Sequence, residues 1–410
     1  MTRAFLFTVS TLLALSGLAP AVAQTDDWRA PVLALLEQRA RAVLDGDEAA
    51  FMATMEGAPR TFREQRRTWF FRMQDLPVDR YALEPGLHTY EDLAPALARL
   101  PAGDEVHVIE VDERMGLAGY DAEPALETIY FTVVRRGDRW SIVADEDLED
   151  LGFLSARAMW DFAPVRISER DGVMVIYQGN RSQAEQIRDA TIDAVGRVQD
   201  DWPLRWRPRV VVMIPRSADD LARILGTTID LGPFVAFAAS NAYRDAQGSY
   251  DLVGYRIFVQ PDTFFGYSRS FQAETLGHEM LHYATRPIAG AFTTSWLEEG
   301  VAQIFGERGS LRVPDLARDA RSISGLPEDH RFFIGPNIHR SYQASAHFMR
   351  YVRDRFGTNR AARFYRAVGA ESTVSLGTDR YHLDRAARRV LDTGFDALER
   401  AWLRSVREEF

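Results

Sequence analysis

From Trp28 onward apolar residues return every three or four positions. Val32, Leu33, Leu36, Ala40 and Val43 share one helical face, and the pattern breaks at Gly46. Two further helical stretches follow, DEAAFMATM and FREQRRTWFFRMQDL. Beyond Pro77 the period falls to two. EVHVIEVDER and ALETIYFTVVRRGDRWSIVADEDL alternate apolar and polar residues, with Arg136, Gly137 and Asp138 as a hairpin turn. Helices followed by a curved antiparallel sheet predict an α+β unit over residues 28–152. His88, His107 and the acidic run from Asp145 to Asp150 form no paired acid and base, so they are expected as solvated or boundary residues. The acidic run, just ahead of Gly152, is expected as a linker.

A second unit, residues 163–410, opens with a strand in GVMVIYQ, a helix from Ser182 to about Asp200 and a strand in RPRVVVMIP, a β-α-β order. A helix near Ser217 to Leu225 and a strand in LVGYRIFVQP come next. The C-terminal part is helical throughout. RSYQASAHFMRYVRDRFG, NRAARFYRAVG, YHLDRAARRVL and FDALERAWLRSVREEF each carry apolar residues at three- and four-residue steps.

The candidate chemistry lies between these halves, in FQAETLGHEMLHYATRPIAGAFTTSWLEEGVAQIFG. His278 and His282 are four apart, so on a helix they stand one turn above each other and offer two imidazole nitrogens to one ion. Glu279 sits beside them, where a carboxylate takes a proton from a water that the ion activates. Glu299 follows His282 after sixteen intervening residues and opens what reads as a second helix capped by Ser295. Leu297, Val301 and Ile304 would form its apolar stripe.

Composition narrows the setting. The formal net charge is −10, from 49 basic residues, all arginine, against 59 acidic ones, which argues against a nucleic-acid partner. The first residues combine Arg3, an apolar run from Ala4 to Leu18 and a small-x-small ending at Ala21, Val22 and Ala23, a secretory signal over 1–23. No later stretch has the length of apolar sequence that a membrane span needs. A periplasmic or secreted protein, without a membrane span after signal removal, is therefore expected. With no cysteine, disulfides and thiol chemistry are excluded.

The site resembles the gluzincin zinc metallopeptidases, the thermolysin and aminopeptidase-N group, in which H-E-x-x-H is followed by W-L-x-E-G-x-A on a downstream helix. Trp296, Leu297, Glu299, Gly300 and Ala302 match that string, and its variable position falls on Glu298, which puts the third ligand at Glu299. The resemblance implies zinc on His278, His282 and Glu299, with Glu279 as the base. It implies a gluzincin-like domain with a mixed sheet, a zinc helix and a helical C-terminal lobe, in which LVGYRIFVQP edges the cleft and its backbone from Tyr255 to Val259 pairs with substrate; an interior strand is the alternative. The Y-x-x-S-A-x-F-x-x-Y arrangement starting at Tyr342 is similar to the helix after the site in bacterial relatives. Tyr342 is thereby implied as the oxyanion donor, with His347 and Tyr351 as alternatives on the same helix.

Two departures from the family stand out. Gln303 occupies the place of an aspartate that orients a ligand histidine, and no G-x-M-E-N string lies between Ala236 and Phe271, so aminopeptidase activity is not implied. The first unit resembles the cone-shaped nuclear-transport-factor-like, or SnoaL-like, fold in helix order and in its closing R-x-G-D-R-W-x-I hairpin. The function expected is a zinc-dependent peptidase, by elimination an endopeptidase, acting on polypeptide outside the cytoplasm. A non-catalytic, zinc-stabilised envelope-binding or scaffold protein is the alternative, and oligomeric state has no sequence signal.

Overall fold

The structure, a computed structural model, describes residues 28–89, 105–227, 231, 235–244, 250–290, 293–307, 311–333, 338–371 and 380–410. The expected signal sequence and the side chain of His88 lie outside what is described. Among the described residues no helix is long and apolar enough to cross a membrane. The fold is mixed α and β with two sheets.

Helices α1 (Arg29–Asp45), α2 (Glu48–Ala53) and α3 (Arg60–Gln74) precede a four-stranded antiparallel sheet of β1 (Val78–Thr89), β2 (Glu105–Leu117), β3 (Ala125–Arg136) and β4 (Arg139–Ala144), paired in chain order. Arg136 pairs with Arg139 across the expected turn, where Gly137 takes φ +64°. The apolar face of α1 is rotated from the sequence expectation. Leu33 is exposed, whereas Leu35 and Arg39 are buried.

Two other expectations are corrected here. His107 is buried, because its ring stacks on Trp28 at 4.2 Å and its Nε2 meets Glu105 at 2.7 Å. The acidic run is not a solvated linker. Asp145 is buried between Arg66 and Arg157, Asp147 accepts from Thr132 Oγ1, and Ala156 N–H bonds Thr128 O at 2.9 Å, so the chain is tied back along β3.

The second sheet is mixed, in the order β5 (Arg166–Arg170), β6 (Val173–Tyr177), β7 (Val210–Ile214), β9 (Tyr250–Val259), β8 (Ala236–Arg244). Strands β6 and β7 run parallel through α4 (Arg181–Asp201), as the β-α-β pattern predicts. Every residue of β6 and β7 is buried, the signature of a sheet covered on both faces. Val175, Val212, Ala238 and Ile257 meet the helices of the second unit, while Ile176, Met213, Phe237 and Phe258 join the apolar cluster of the first. Strand β9 takes the interior alternative and not the cleft edge: it lies between β7 and β8, and β8 is the edge strand on that side. Four C-terminal helices, α7 (Ile338–Phe356), α8 (Thr358–Glu371), α9 (Arg380–Leu391) and α10 (Phe395–Glu409), follow the site.

The seam between the sheets carries an ion pair, Arg256 to Asp121 at 2.7 Å, and a cavity of about 960 Å³. Arg39, Trp69 and Glu113 line it from one side, Met213, Arg256 and Phe258 from the other. Glu113, half-buried at the wall, is pushed up to about 7 by burial, against the hydrogen bond from Tyr81 Oη at 2.5 Å.

Two outcomes follow. A fragment starting near Ala156 exposes Ile176, Met213, Phe237 and Phe258, so it should aggregate or lose near-ultraviolet circular dichroism; a soluble, fully ordered fragment would show the seam to be dispensable. Because the folded state holds the Glu113 proton more tightly than the unfolded chain does, its contribution to stability is present below pH 4.5 and is lost as pH rises through about 7. Glu113→Gln should remove that loss, a gain of at most about 3 kcal/mol near pH 8 by denaturant titration, and no gain at pH 4.

Candidate metal centre

The H-E-M-L-H segment forms the middle of α5 (Arg269–Thr285), whose first turn is capped by Ser268 Oγ accepting from Phe271 N–H. From Thr275 to Thr285 every residue is buried, because α5 lies between α4, the second sheet and α6 (Ser295–Gly306). Ser295 is the first residue of α6 and not its cap. Its N–H instead donates to Asp329 Oδ1 at 2.6 Å.

Glycine sets the spacing between α5 and α6. A Cβ at Gly277 would lie 2.3 Å from the carbonyl oxygen of Gly306, and one at Gly306 would lie 2.5 Å from that of Gly277. Gly300 is pressed in the same way on the other side of α6, where a Cβ would come 2.6 Å from Ser345 O on α7. Any side chain at these points forces the helices apart.

At this approach three ligand atoms converge. His278 Nε2 is 3.0 Å from Glu299 Oε2, His282 Nε2 is 3.5 Å from the same oxygen, and the two imidazole nitrogens are 3.1 Å apart. All three residues are buried. A tetrahedral zinc ion with bonds of about 2.0–2.1 Å spaces its ligands about 3.3 Å apart, so this triangle matches one face of its coordination shell. Two neutral histidines and one carboxylate are also the donor set of a catalytic zinc site with one position left open.

The surrounding electrostatics fit the same ion. Burial opposes charge on His278, but Glu299 at Nε2 and Glu307 at Nδ1 together hold its pKa well above the usual histidine range. Burial brings His282 down to about 4. Burial also opposes charge on Glu299, yet the two histidines hold it well below the usual carboxylate range.

Glu279 points its carboxylate at the outer strand. Its Oε2 accepts from Ala238 N–H on β8 at 2.7 Å, while its Oε1 is buried with no hydrogen-bond partner among the described residues. Burial pushes its pKa up to about 8. Tyr342, near the start of α7, is buried against Phe332; burial raises its phenol well above the usual range, with Glu299, Glu279 and Glu307 all contributing. Its ring therefore belongs to the electrostatic neighbourhood of the ligands. His347 does not: it accepts from Trp402 Nε1 at 3.0 Å and meets Glu409 at 3.0 Å, tying α7 to α10. Tyr351 packs into the helical core.

One partner of the site went unseen in the sequence. Gln303 touches neither histidine, and its buried Oε1 has no hydrogen-bond partner among the described residues. Glu307 takes that part, with Oε1 3.0 Å from His278 Nδ1. The residues 299, 303 and 307 are spaced four apart, which was the available signal, but α6 ends at Gly306, and only the extended backbone of Glu307 (φ −93°, ψ 139°) turns its side chain onto the histidine. Glu298, by contrast, points away to a buried pair with Arg286 at 3.3 Å.

Zinc should therefore be lost from His278→Ala, His282→Ala and Glu299→Ala, and kept by Glu279→Gln. Glu307→Gln should weaken zinc binding about 10- to 100-fold at unchanged stoichiometry. Glu298→Ala should keep the ligand set but cost about 3 kcal/mol by leaving Arg286 uncompensated. Metal analysis with competitive chelation reads all six, and equal zinc loss throughout would overturn these roles.

No protein-family profile matches the chain, and no curated protein matches it.

Proposed function

We propose that the chain is a zinc-dependent peptidase of the gluzincin type, acting as an endopeptidase on extracytoplasmic polypeptide. The observation that carries this reading is the buried Glu279 carboxylate with one oxygen unpartnered, beside a convergent two-histidine, one-carboxylate set. A site that only holds a metal has no use for such a carboxylate, which favours hydrolysis over the scaffold alternative.

His278, His282 and Glu299 would hold the ion, and Glu307 would fix the ring of His278. A zinc ion held there supplies Lewis acidity to the scissile carbonyl and makes water a stronger acid. Glu279 takes the proton of the attacking water at its unpartnered oxygen and delivers it to the leaving amine, so the carboxylate is regenerated with each turnover. Burial pushes its pKa up to about 8, and a cation held by the neighbouring residues would favour the ionised form that a base needs. Tyr342 donates its phenolic hydrogen to the oxyanion, a role its high pKa favours because the proton is retained. Extended substrate adds to the outer edge of β8, next to Ala238, rather than to the interior strand β9.

The test is a proteome-derived peptide screen with purified mature protein, with and without chelator. Cleavage within peptides should appear only with metal. Glu279→Gln should lower kcat/KM by at least about 1000-fold at full zinc occupancy, and Tyr342→Phe should lower kcat by about 100-fold with KM little changed. A fully loaded wild-type protein that cleaves nothing would leave the scaffold reading standing.

A further inference from the structure

The seam cavity contains a charge that the protein leaves unanswered. Arg39 projects from the buried face of α1 and is only 2% exposed. Among the described residues its one side-chain hydrogen bond goes to Thr54 Oγ1, at 3.0 Å, and its guanidinium lies over the rings of Phe51 and Phe131 at 4.1 and 5.7 Å. Among the described residues no carboxylate lies within ion-pair distance of it. Burial brings even this guanidinium down to about 10, with the more distant Glu113 and Asp145 opposing. An enclosed cation so poorly compensated is a cost the fold bears without gaining stability.

Arg66 lines the same cavity and differs instructively. It has its carboxylates, Asp161 at 3.1 Å and Asp145 at 3.4 Å, yet its buried Nε donates to nothing among the described residues. The cavity thus holds one uncompensated guanidinium and one spare N–H. The rest of the wall mixes paired charges, among them Glu113, Glu127 and Arg157, with apolar side chains: Trp69, Met115 and Phe131 from the first sheet and its helices, Met213 and Phe258 from the second. At about 960 Å³ it has the size of sites that enclose small organic ligands.

We infer that this cavity binds an amphipathic monoanion, a carboxylate with an alkyl or aryl body, whose head is held by Arg39 and whose body rests on the apolar wall shared by the two sheets. A single negative charge is specified because Glu113, Asp145, Asp161 and Glu149 line the same space and repel a dianion such as phosphate. The site is distinct from the metal centre, since α5 packs on the opposite face of the second sheet. A ligand there touches the back of β7 and β9, so both units of the chain contribute to its binding.

Calorimetric titration of the full mature protein decides the matter. The probes are octanoate, 1-octanol, octyltrimethylammonium, 1-naphthoate and inorganic phosphate. Octanoate or naphthoate should bind one site at least about tenfold more tightly than octanol, as one charge-assisted hydrogen bond provides, and the cation and phosphate should not bind there. Whichever carboxylate is tighter identifies the body as alkyl or aryl. Arg39→Met should erase the preference for carboxylate over octanol while leaving the ligand-free melting temperature unchanged or raised, and Arg39→Lys should keep part of it. Equal affinity for all three octyl head groups would overturn the inference. So would Arg39→Met that binds octanoate as before, or that loses octanol and octanoate equally along with thermal stability. If the Arg39 variants fail to fold, the head-group order of the wild-type protein still decides.

Discussion

The distance between α5 and α6 is the constraint on which the candidate site depends. Two helices carrying ordinary side chains pack with axes 8–10 Å apart, and the reach of a histidine and a glutamate would then leave slack around an ion. Gly277 and Gly306 remove the side chains at the crossing, so carbonyl oxygen meets α-carbon and the ligand side chains meet directly. Gly300 does the same against α7, which holds α6 from behind. The ligand geometry is thus fixed by backbone contact. Rotamer preference of the ligands alone would be a weaker restraint, because a histidine or glutamate at a looser crossing has several staggered conformations open to it.

The second sheet joins this site to the rest of the molecule. Its strands β6 and β7 are apolar on both sides because one face carries the helices of the site and the other meets the first unit. Polar contacts pin that meeting, among them Arg256 with Asp121, Tyr120 with Glu169 and Asn241 with Glu127. Close approach also matters here: a Cβ on Gly254 would lie 2.7 Å from that of Ala125. The units share an apolar seam, so the first contributes to the order of the sheet that supports Glu279.

Charge is concentrated inside this protein to an unusual degree. Glu279, Glu298 and Glu299 are all buried around His278 and His282, with Arg286 as a compensating cation. Such a cluster is tolerable where a divalent cation is expected, since the ion supplies the missing positive charge. The seam shows the opposite imbalance at Arg39. Buried charges without stabilising partners are the places where local folding rules yield to another demand.

The sequence by itself determined most of the elements and singled out the candidate ligand residues. Period-two and period-four patterns located the hairpin at Gly137, the β-α-β unit and the C-terminal helices, and four-residue spacing placed His278 and His282 on one helical face, because these are properties of a single turn or strand. The resemblance to W-L-x-E-G-x-A pointed to Glu299 over the adjacent Glu298, and Glu299 is the one that lies beside the two histidines. What only the tertiary structure decided involves contact between distant segments. Strand order made β8, not β9, the outer strand; the end of α6 at its crossing with α5 chose Glu307 over Gln303; and packing of α1 against the first sheet buried Arg39 where the periodicity had placed Leu33. Hydrophobic periodicity records that a face is covered, but carries no record of what covers it, and the identity of that partner is what sets strand order, second contacts of ligands and the fate of a charge at the edge of an apolar face.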